Sequence, residues 1–385
     1  MPRLDEMNEV QRNRILLRPV PVNDAVPWTQ PVAVSGGTLA LVTTAGLHHR
    51  GDAPFVKYDQ SYRVINGDVV EADLLQSQSS IGFDRSLRMR DINVVFPIDR
   101  LRELVDDQAI GALSSEFYSL AGAQEDSEQT AETIGGQLAS ALQAIGADLV
   151  LITPTCPVCT HTGSALARVL ESRGLSTVVL ALVRAVFVPF PFGAPCGPPG
   201  DRDQQLSVLR TALATFAADQ GPVLVDFEGE AGPGYTPGPV QASAVERASD
   251  RGPDTATETS AMRRYHEQWL HRQGNKTAVG VTGIPVVRFR GIIRFFEAFV
   301  QNNDADMRER PAGMSKADFM RYCSDDLKAM YLEGRMMMKP AETPDQAGRW
   351  LWGETALGKL LVDVKNQMEK SPDGSIRDAA FGIAR

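Results

Sequence analysis

Apolar and polar positions along the chain change their rhythm twice. Gly37–Thr44 (GTLALVTT) is a short apolar run rich in β-formers and predicts a central strand. Pro97 opens a helix carrying Ile98, Leu101 and Leu104. Glu128–Ile145 repeats Ile134, Leu138, Ala141, Leu142 and Ile145 at helical spacing, with Gly146 as its stop. Asp148–Val183 then reads as strand, Cys-Pro-Val-Cys turn, helix and second strand. Asp201–Ala217 predicts another helix, with Leu206, Leu209, Leu213 and Phe216 inward, and Gly221–Phe227 another strand. Strands and helices alternating over connections too long for hairpins predict an α/β fold, its mostly parallel sheet covered by helices on both faces. Two local signals add detail: Asn66-Gly67 predicts a hairpin within Tyr62–Asp73, and Ile92–Phe96 reads as a strand.

The second change comes at Glu228–Thr259, a Gly/Pro/Ser/Thr-rich polar stretch with little to bury. Beyond it Ala261–Gln273, Ile292–Asn302, Ser315–Met338 and Pro344–Met368 all have helical period. The organisation this predicts is an α/β domain over residues 1–230, a linker or lid loop over 231–260 and a mainly helical C-terminal extension over 261–385. Met1–Pro31, charged and proline-rich, reads as an arm.

Composition narrows the function. The 385 residues are 43% hydrophobic and 23% charged, with a formal net charge of −9. That acidity argues against a nucleic-acid surface, which needs a basic face to displace counterions. The start of the chain lacks a secretory apolar run, and the apolar stretch near Leu175–Phe192 is broken by Arg184, Pro189 and Pro191, so no membrane segment is expected. Four cysteines in so long a chain, two of them in a C-x-x-C, fit a reducing compartment, and the expectation is a cytoplasmic protein.

Cys156 and Cys159 carry the chemistry. A thiol reacts as its thiolate, and the positive end of a helix dipole stabilises that charge. Pro157 fits the first helical turn, so Cys156 stands at the helix start as the better nucleophile. Cys159, about one turn on, can reach it to close a disulfide, and His161 can bias the pair. Half of a zinc site, or two buried cysteines packed as small hydrophobes, are the other readings of such a motif. Cys196 and Cys323 are isolated, however, and a structural zinc needs four ligands. No metal or nucleotide site, and no cofactor bound in the chain, is expected.

Several blocks occur together in one order: LVTTAGLHHRGDAPF, DRSLRMRDINVVFPIDRLREL, IGALSSEFYSLAG, TPTCPVCTHTGSALARVLESRGL and FVPFPFGAPCGPPGD. In these blocks the first 230 or so residues resemble the selenoprotein B family of glycine, sarcosine, betaine and D-proline reductases. The resemblance implies a residue at the Cys156 position, typically selenocysteine in the family, that attacks the carbon bearing an amino group. Cys159 matches the cysteine three positions on and would resolve the adduct as a disulfide. Family reductases use a pyruvoyl group on a separate subunit to activate amino substrates. Two departures matter: sulfur stands here in place of selenium, and residues beyond about 230 lie outside the match.

On this reading His48, His49 and Arg50 bind an anionic group or supply a proton, with Arg85, Arg88, Asp91 and Glu116 as further substrate-binding candidates. The expected partners are a small-molecule substrate, an external dithiol or thioredoxin-like reductant, a pyruvoyl-containing subunit and a second copy of the chain. Two rival functions are a thiol–disulfide oxidoreductase acting on a protein and a non-catalytic binding subunit of a reductase complex.

Overall fold

Leu39, Ala40, Leu41 and Val42 are wholly buried, as are Leu149, Val150, Leu151 and Ile152. Strands buried on both faces must be covered on both faces. These two segments form the middle of the sheet in the computed structural model, which describes residues 12, 13, 16, 27–78, 80, 85–180, 184–229, 254–302, 305–380 and 382–384. Most of the expected N-terminal arm and of the expected linker lies outside the described residues.

The strands are β1 (Thr38–Thr43), β2 (Leu47–His49), β3 (Tyr62–Asn66), β4 (Leu74–Gln76), β5 (Ala112–Leu113), β6 (Glu116–Leu120), β7 (Leu149–Thr153), β8 (Ser176–Val179), β9 (Arg184–Phe187) and β10 (Val223–Asp226). The helices are α1 (Ser86–Arg90), α2 (Ile98–Asp106), α3 (Ser127–Ala144), α4 (Pro157–Ser172), α5 (Arg202–Ala214), α6 (Thr255–Arg272), α7 (Phe289–Gln301), α8 (Lys316–Met338), α9 (Pro344–Glu354), α10 (Ala356–Glu369) and α11 (Gly374–Ala380).

The main sheet runs β10-β9-β8-β7-β1-β6-β3, with β5 also against β1. All its pairings are parallel except β3 with β6. In register, Thr43 of β1 stands opposite Thr153 of β7 and Ser119 of β6. From β1 the chain goes to β6 on one side, crosses back through α3 to β7 on the other, and continues outward to β8. The connections leaving β1 and β7 therefore diverge, and open α/β sheets place a crevice at the carboxyl ends of such strands. This is the expected α/β fold.

Three local expectations are corrected. Asn66-Gly67 does turn the chain, with the Val69 N–H donating to the Asn66 carbonyl at 3.1 Å, but no hairpin follows. Tyr62–Asn66 pairs with the distant Glu116–Leu120, while Glu71–Asp73 forms a 3-10 turn. The Gly67 N–H donates to the Ser115 carbonyl at 2.8 Å, so the turn is anchored to the strand that took the partner's place. Ile92–Val94 is a 3-10 turn and not a strand, because Asp91 caps it and the Asn93 side chain ties Asp91 to Asp99. Pro344–Met368 breaks at Thr355. Its extended backbone ends α9, and its hydroxyl accepts the Gly358 N–H at the start of α10.

The chain divides into two compact units. The first comprises Met1–His49, Lys57–Val70 and Gly82–Tyr235; the second comprises Arg50–Val56, Glu71–Ile81 and Thr236–Arg385. Helix α6 begins at Thr255, capped by Asp254, within the stretch expected as linker. In the second unit buried carboxylates hold the loop after α6. Glu333 accepts from the Ala278 N–H, the Thr277 hydroxyl and His266. Asp326 accepts from the N–H groups of Gly280, Val281 and Thr282 and from the Thr282 hydroxyl. Burial pushes the Asp326 carboxyl above the usual carboxylate range, against the opposing effect of those hydrogen bonds.

Candidate active site

The carboxyl ends of β1 and β7 are built from threonines. Thr43 and Thr153 both donate their hydroxyls to the Val95 carbonyl, at 3.0 and 2.7 Å, and the Thr44 N–H donates to the Thr153 carbonyl. The Thr155 N–H in turn donates to the Thr44 hydroxyl at 3.3 Å. These bonds fix the short link from β7 into α4, where Cys156 is the N-cap and Pro157 opens the helix.

Cys156 and Cys159 are joined as a disulfide, and both are wholly buried. The Cys159 N–H donates to Cys156 Sγ at 3.1 Å, so the sulfur takes the place a serine or aspartate oxygen usually holds at a helix start. The Thr155 hydroxyl donates to Cys159 Sγ at 3.7 Å. Gly122, just beyond β6, closes the other side: a Cβ there would stand 2.5 Å from Thr44 Cβ and 2.9 Å from Cys159 Cβ. Its carbonyl accepts the Thr162 hydroxyl, and its N–H reaches the Thr44 carbonyl. The proline-rich loop joins through the Gly193 N–H, which donates to the Thr155 carbonyl at 2.8 Å.

The other predicted residues are distributed more widely. His161 faces Glu128 of α3 at 3.5 Å, and that carboxylate also pairs with Arg168. His48 is wholly buried, with Nδ1 2.8 Å from the His49 carbonyl, and His49 is half-buried. Arg50 belongs to the second unit, where its guanidinium donates to the carbonyls of Ala72, Thr277 and Val279. Arg85 precedes α1, and Arg88 within it is buried at 2% exposure. Asp91 ties down the loop before α5, accepting from the Gly200 N–H and the Gln205 amide. Glu116, on β6 and not in a loop, accepts the Tyr118 hydroxyl at 3.0 Å. Burial, then that bond to Glu116, push the Tyr118 hydroxyl above its ordinary range.

The structure thus joins Cys156 to Cys159 and gives Arg50, Asp91 and Glu116 partners elsewhere. Sequence reasoning missed Thr155, Thr44 and Gly122. A signal was present, since TT at 43–44 and TPT at 153–155 put hydroxyls at the ends of two adjacent central strands. Among the described residues no group of three or more His, Cys, Asp or Glu side chains is arranged to hold a metal ion. No helix among them is long and apolar enough to cross a membrane.

The first unit is thus a doubly wound α/β unit that carries a buried Cys156–Cys159 disulfide at the start of α4, beside the carboxyl ends of its central strands. The chain belongs to the glycine/sarcosine/betaine reductase selenoprotein B family, whose model matches residues 16–155. It is 32% identical over 207 residues to the D-proline reductase subunit gamma of Acetoanaerobium sticklandii, an alignment covering 50% of this chain and 84% of that one. It is 27% identical over 199 residues to the glycine reductase complex component B subunit gamma of Carboxydothermus hydrogenoformans, covering 47% and 45%. With the sarcosine reductase complex component B subunit beta of Peptoclostridium acidaminophilum it shares 27% over 230 residues, covering 55% and 52%. The chain therefore spans about half the length of the glycine and sarcosine reductase subunits it matches. These relatives are named as components of reductases, and a reductase-related role follows for this chain. No solved structure matches it.

Proposed function

We propose that this chain cleaves a carbon–heteroatom bond of a small molecule, a carbon–nitrogen bond above all, with Cys156 as nucleophile and Cys159 as resolving thiol. The observation that carries the reading is the Cys156–Cys159 disulfide at the start of α4, beyond the carboxyl ends of the adjacent strands β1 and β7. The names of the relatives support the same reading.

The Cys156 thiolate displaces nitrogen from the substrate carbon: a sulfur–carbon bond forms, the carbon–nitrogen bond breaks, and the amine leaves with a proton. The Cys159 thiolate then attacks Cys156 Sγ. A disulfide forms, the sulfur–carbon bond breaks, and the carbon takes its electron pair and a proton. An external dithiol returns two electrons and two protons to the pair. The substrate thus gains two hydrogens and splits, and the dithiol is oxidised. Sulfur makes a weaker nucleophile than selenium, so the amino group would arrive activated by a pyruvoyl-containing partner subunit.

Incubating the reduced protein with candidate amino acids and measuring intact mass tests this. A substrate-sized adduct on Cys156 that accumulates in Cys159→Ser and is lost in Cys156→Ser is the expected result. A Cys156→Ser variant with full turnover would exclude the nucleophile, and a mixed disulfide with a protein, without a small-molecule adduct, would favour a thiol–disulfide oxidoreductase.

A further inference from the structure

We infer that Thr155 is a positioning residue that sets the redox poise of the pair by stabilising the Cys159 sulfur when it carries charge; this rests on the thiol pair proposed above. The two sulfurs are served by different donors. Cys156 Sγ receives the backbone N–H of Cys159 at 3.1 Å, which any residue but proline would supply at position 159. Cys159 Sγ receives the Thr155 hydroxyl at 3.7 Å, which depends on one side chain.

Thr155 is held so that its hydroxyl stays in place. It is wholly buried, its N–H donates to the Thr44 hydroxyl, and its carbonyl accepts the Gly193 N–H. Each partner comes from a different segment of the first unit, the end of β1 and the proline-rich loop. Rotation of the backbone at Thr155 would break both.

A disulfide sulfur is a poor acceptor, whereas a thiolate is a strong one, because hydrogen bonds to an ionised partner are roughly twice as strong as neutral ones. The hydroxyl therefore stabilises the reduced, charged form more than the oxidised form. In reduction a dithiol gives two electrons and two protons to the Cys156–Cys159 bond and becomes a disulfide itself. Where Cys159 then loses its proton, the Thr155 hydroxyl holds the resulting charge. The same stabilised thiolate is the group that attacks Cys156 in resolution, so one hydroxyl acts on both halves of the cycle.

The test is a redox titration of the 385-residue chain against oxidised and reduced dithiothreitol, with free thiols counted by alkylation and intact mass, from pH 6 to pH 9. Thr155→Val keeps the shape and loses the hydroxyl; Thr155→Ser keeps the hydroxyl. At alkaline pH the equilibrium constant for reduction should fall about tenfold in Thr155→Val, or about 30 mV for a two-electron couple. The difference should shrink as the pH falls, because a protonated thiol gains less from the hydroxyl than a thiolate does, and Thr155→Ser should restore the wild-type value. A purely structural role would move the constant equally at every pH, and that result, or no shift at all, overturns the inference while leaving the thiol pair standing. A wild-type pair that never cycles with dithiothreitol overturns both the inference and the proposed reductase chemistry.

Discussion

At the scale of single residues, the four cysteines separate by surroundings. Cys156 and Cys159 share a disulfide at a helix start. Cys196 and Cys323 are buried free thiols. Burial pushes both upward, with Asp91 adding to the effect at Cys196 and Asp326 and Asp325 at Cys323. All four sulfurs are buried, so exposure does not separate them; the carboxylates facing Cys196 and Cys323 keep those thiols protonated and unreactive, whereas the 156/159 pair stands at a helix start, where a thiolate is favoured. After mild reduction, iodoacetamide at pH 8 should therefore label the 156/159 pair and leave Cys196 and Cys323 unlabelled until denaturant is added. Peptide mapping reads this directly, and labelling of Cys196 in the native protein would contradict it. The asymmetry was legible in the sequence from spacing alone, because only 156 and 159 lie one helical turn apart. What the sequence concealed was the supporting shell. Arg50 and Asp91, both substrate-binding candidates by residue type, also hold structure: Arg50 donates to backbone carbonyls and Asp91 accepts from a loop. A charged residue's type states what it can bind, while its partner depends on which distant segment folds beside it.

At the scale of elements, the packing around the disulfide depends on how closely the end of β6 approaches the start of α4. Gly122 permits that approach, since any side chain there would meet Thr44 and Cys159 below normal contact distance. Gly122→Ala should lower stability by about 1–3 kcal/mol through overpacking, read as a lower urea midpoint with an unchanged slope. An alanine variant as stable as wild type would mean that the strand end yields without cost. The central strands and long helices were legible because their periods are strong and their partners unambiguous. Tyr62–Asn66 was misread for the opposite reason: its turn is local, but its pairing partner lies about fifty residues away at Glu116–Leu120. Ile92–Phe96 was misread because a short buried apolar run has no period of its own, and the Asp91–Asn93–Asp99 hydrogen bonds decide its shape.

At the scale of the whole molecule, the two units are not consecutive in the chain. Arg50–Val56 and Glu71–Ile81 leave the first unit's sequence and belong to the second. There the Phe55 carbonyl accepts the Tyr322 hydroxyl, the Phe55 N–H donates to Ser77, and Lys276 pairs with Glu71. A fragment of residues 254–385 lacks all of these partners, and Arg50 as well. It should lose the sharp thermal transition of the full chain, and a cooperative melt at the same temperature would refute this. Sequence reading places a boundary near residue 230 because composition changes there; it carries no signal for short segments that cross over.

Such crossing also governs how the gene can be exchanged. A single crossover near codon 235 between two diverged relatives would assemble the second unit from two parents, with Arg50 from one facing the Thr277 and Val279 carbonyls from the other. Only exchanges that carry the codons for 50–81 together with those beyond 236 keep that unit's contacts from one lineage. Inheritance of the two regions is thereby coupled across the intervening sequence that encodes the thiol pair.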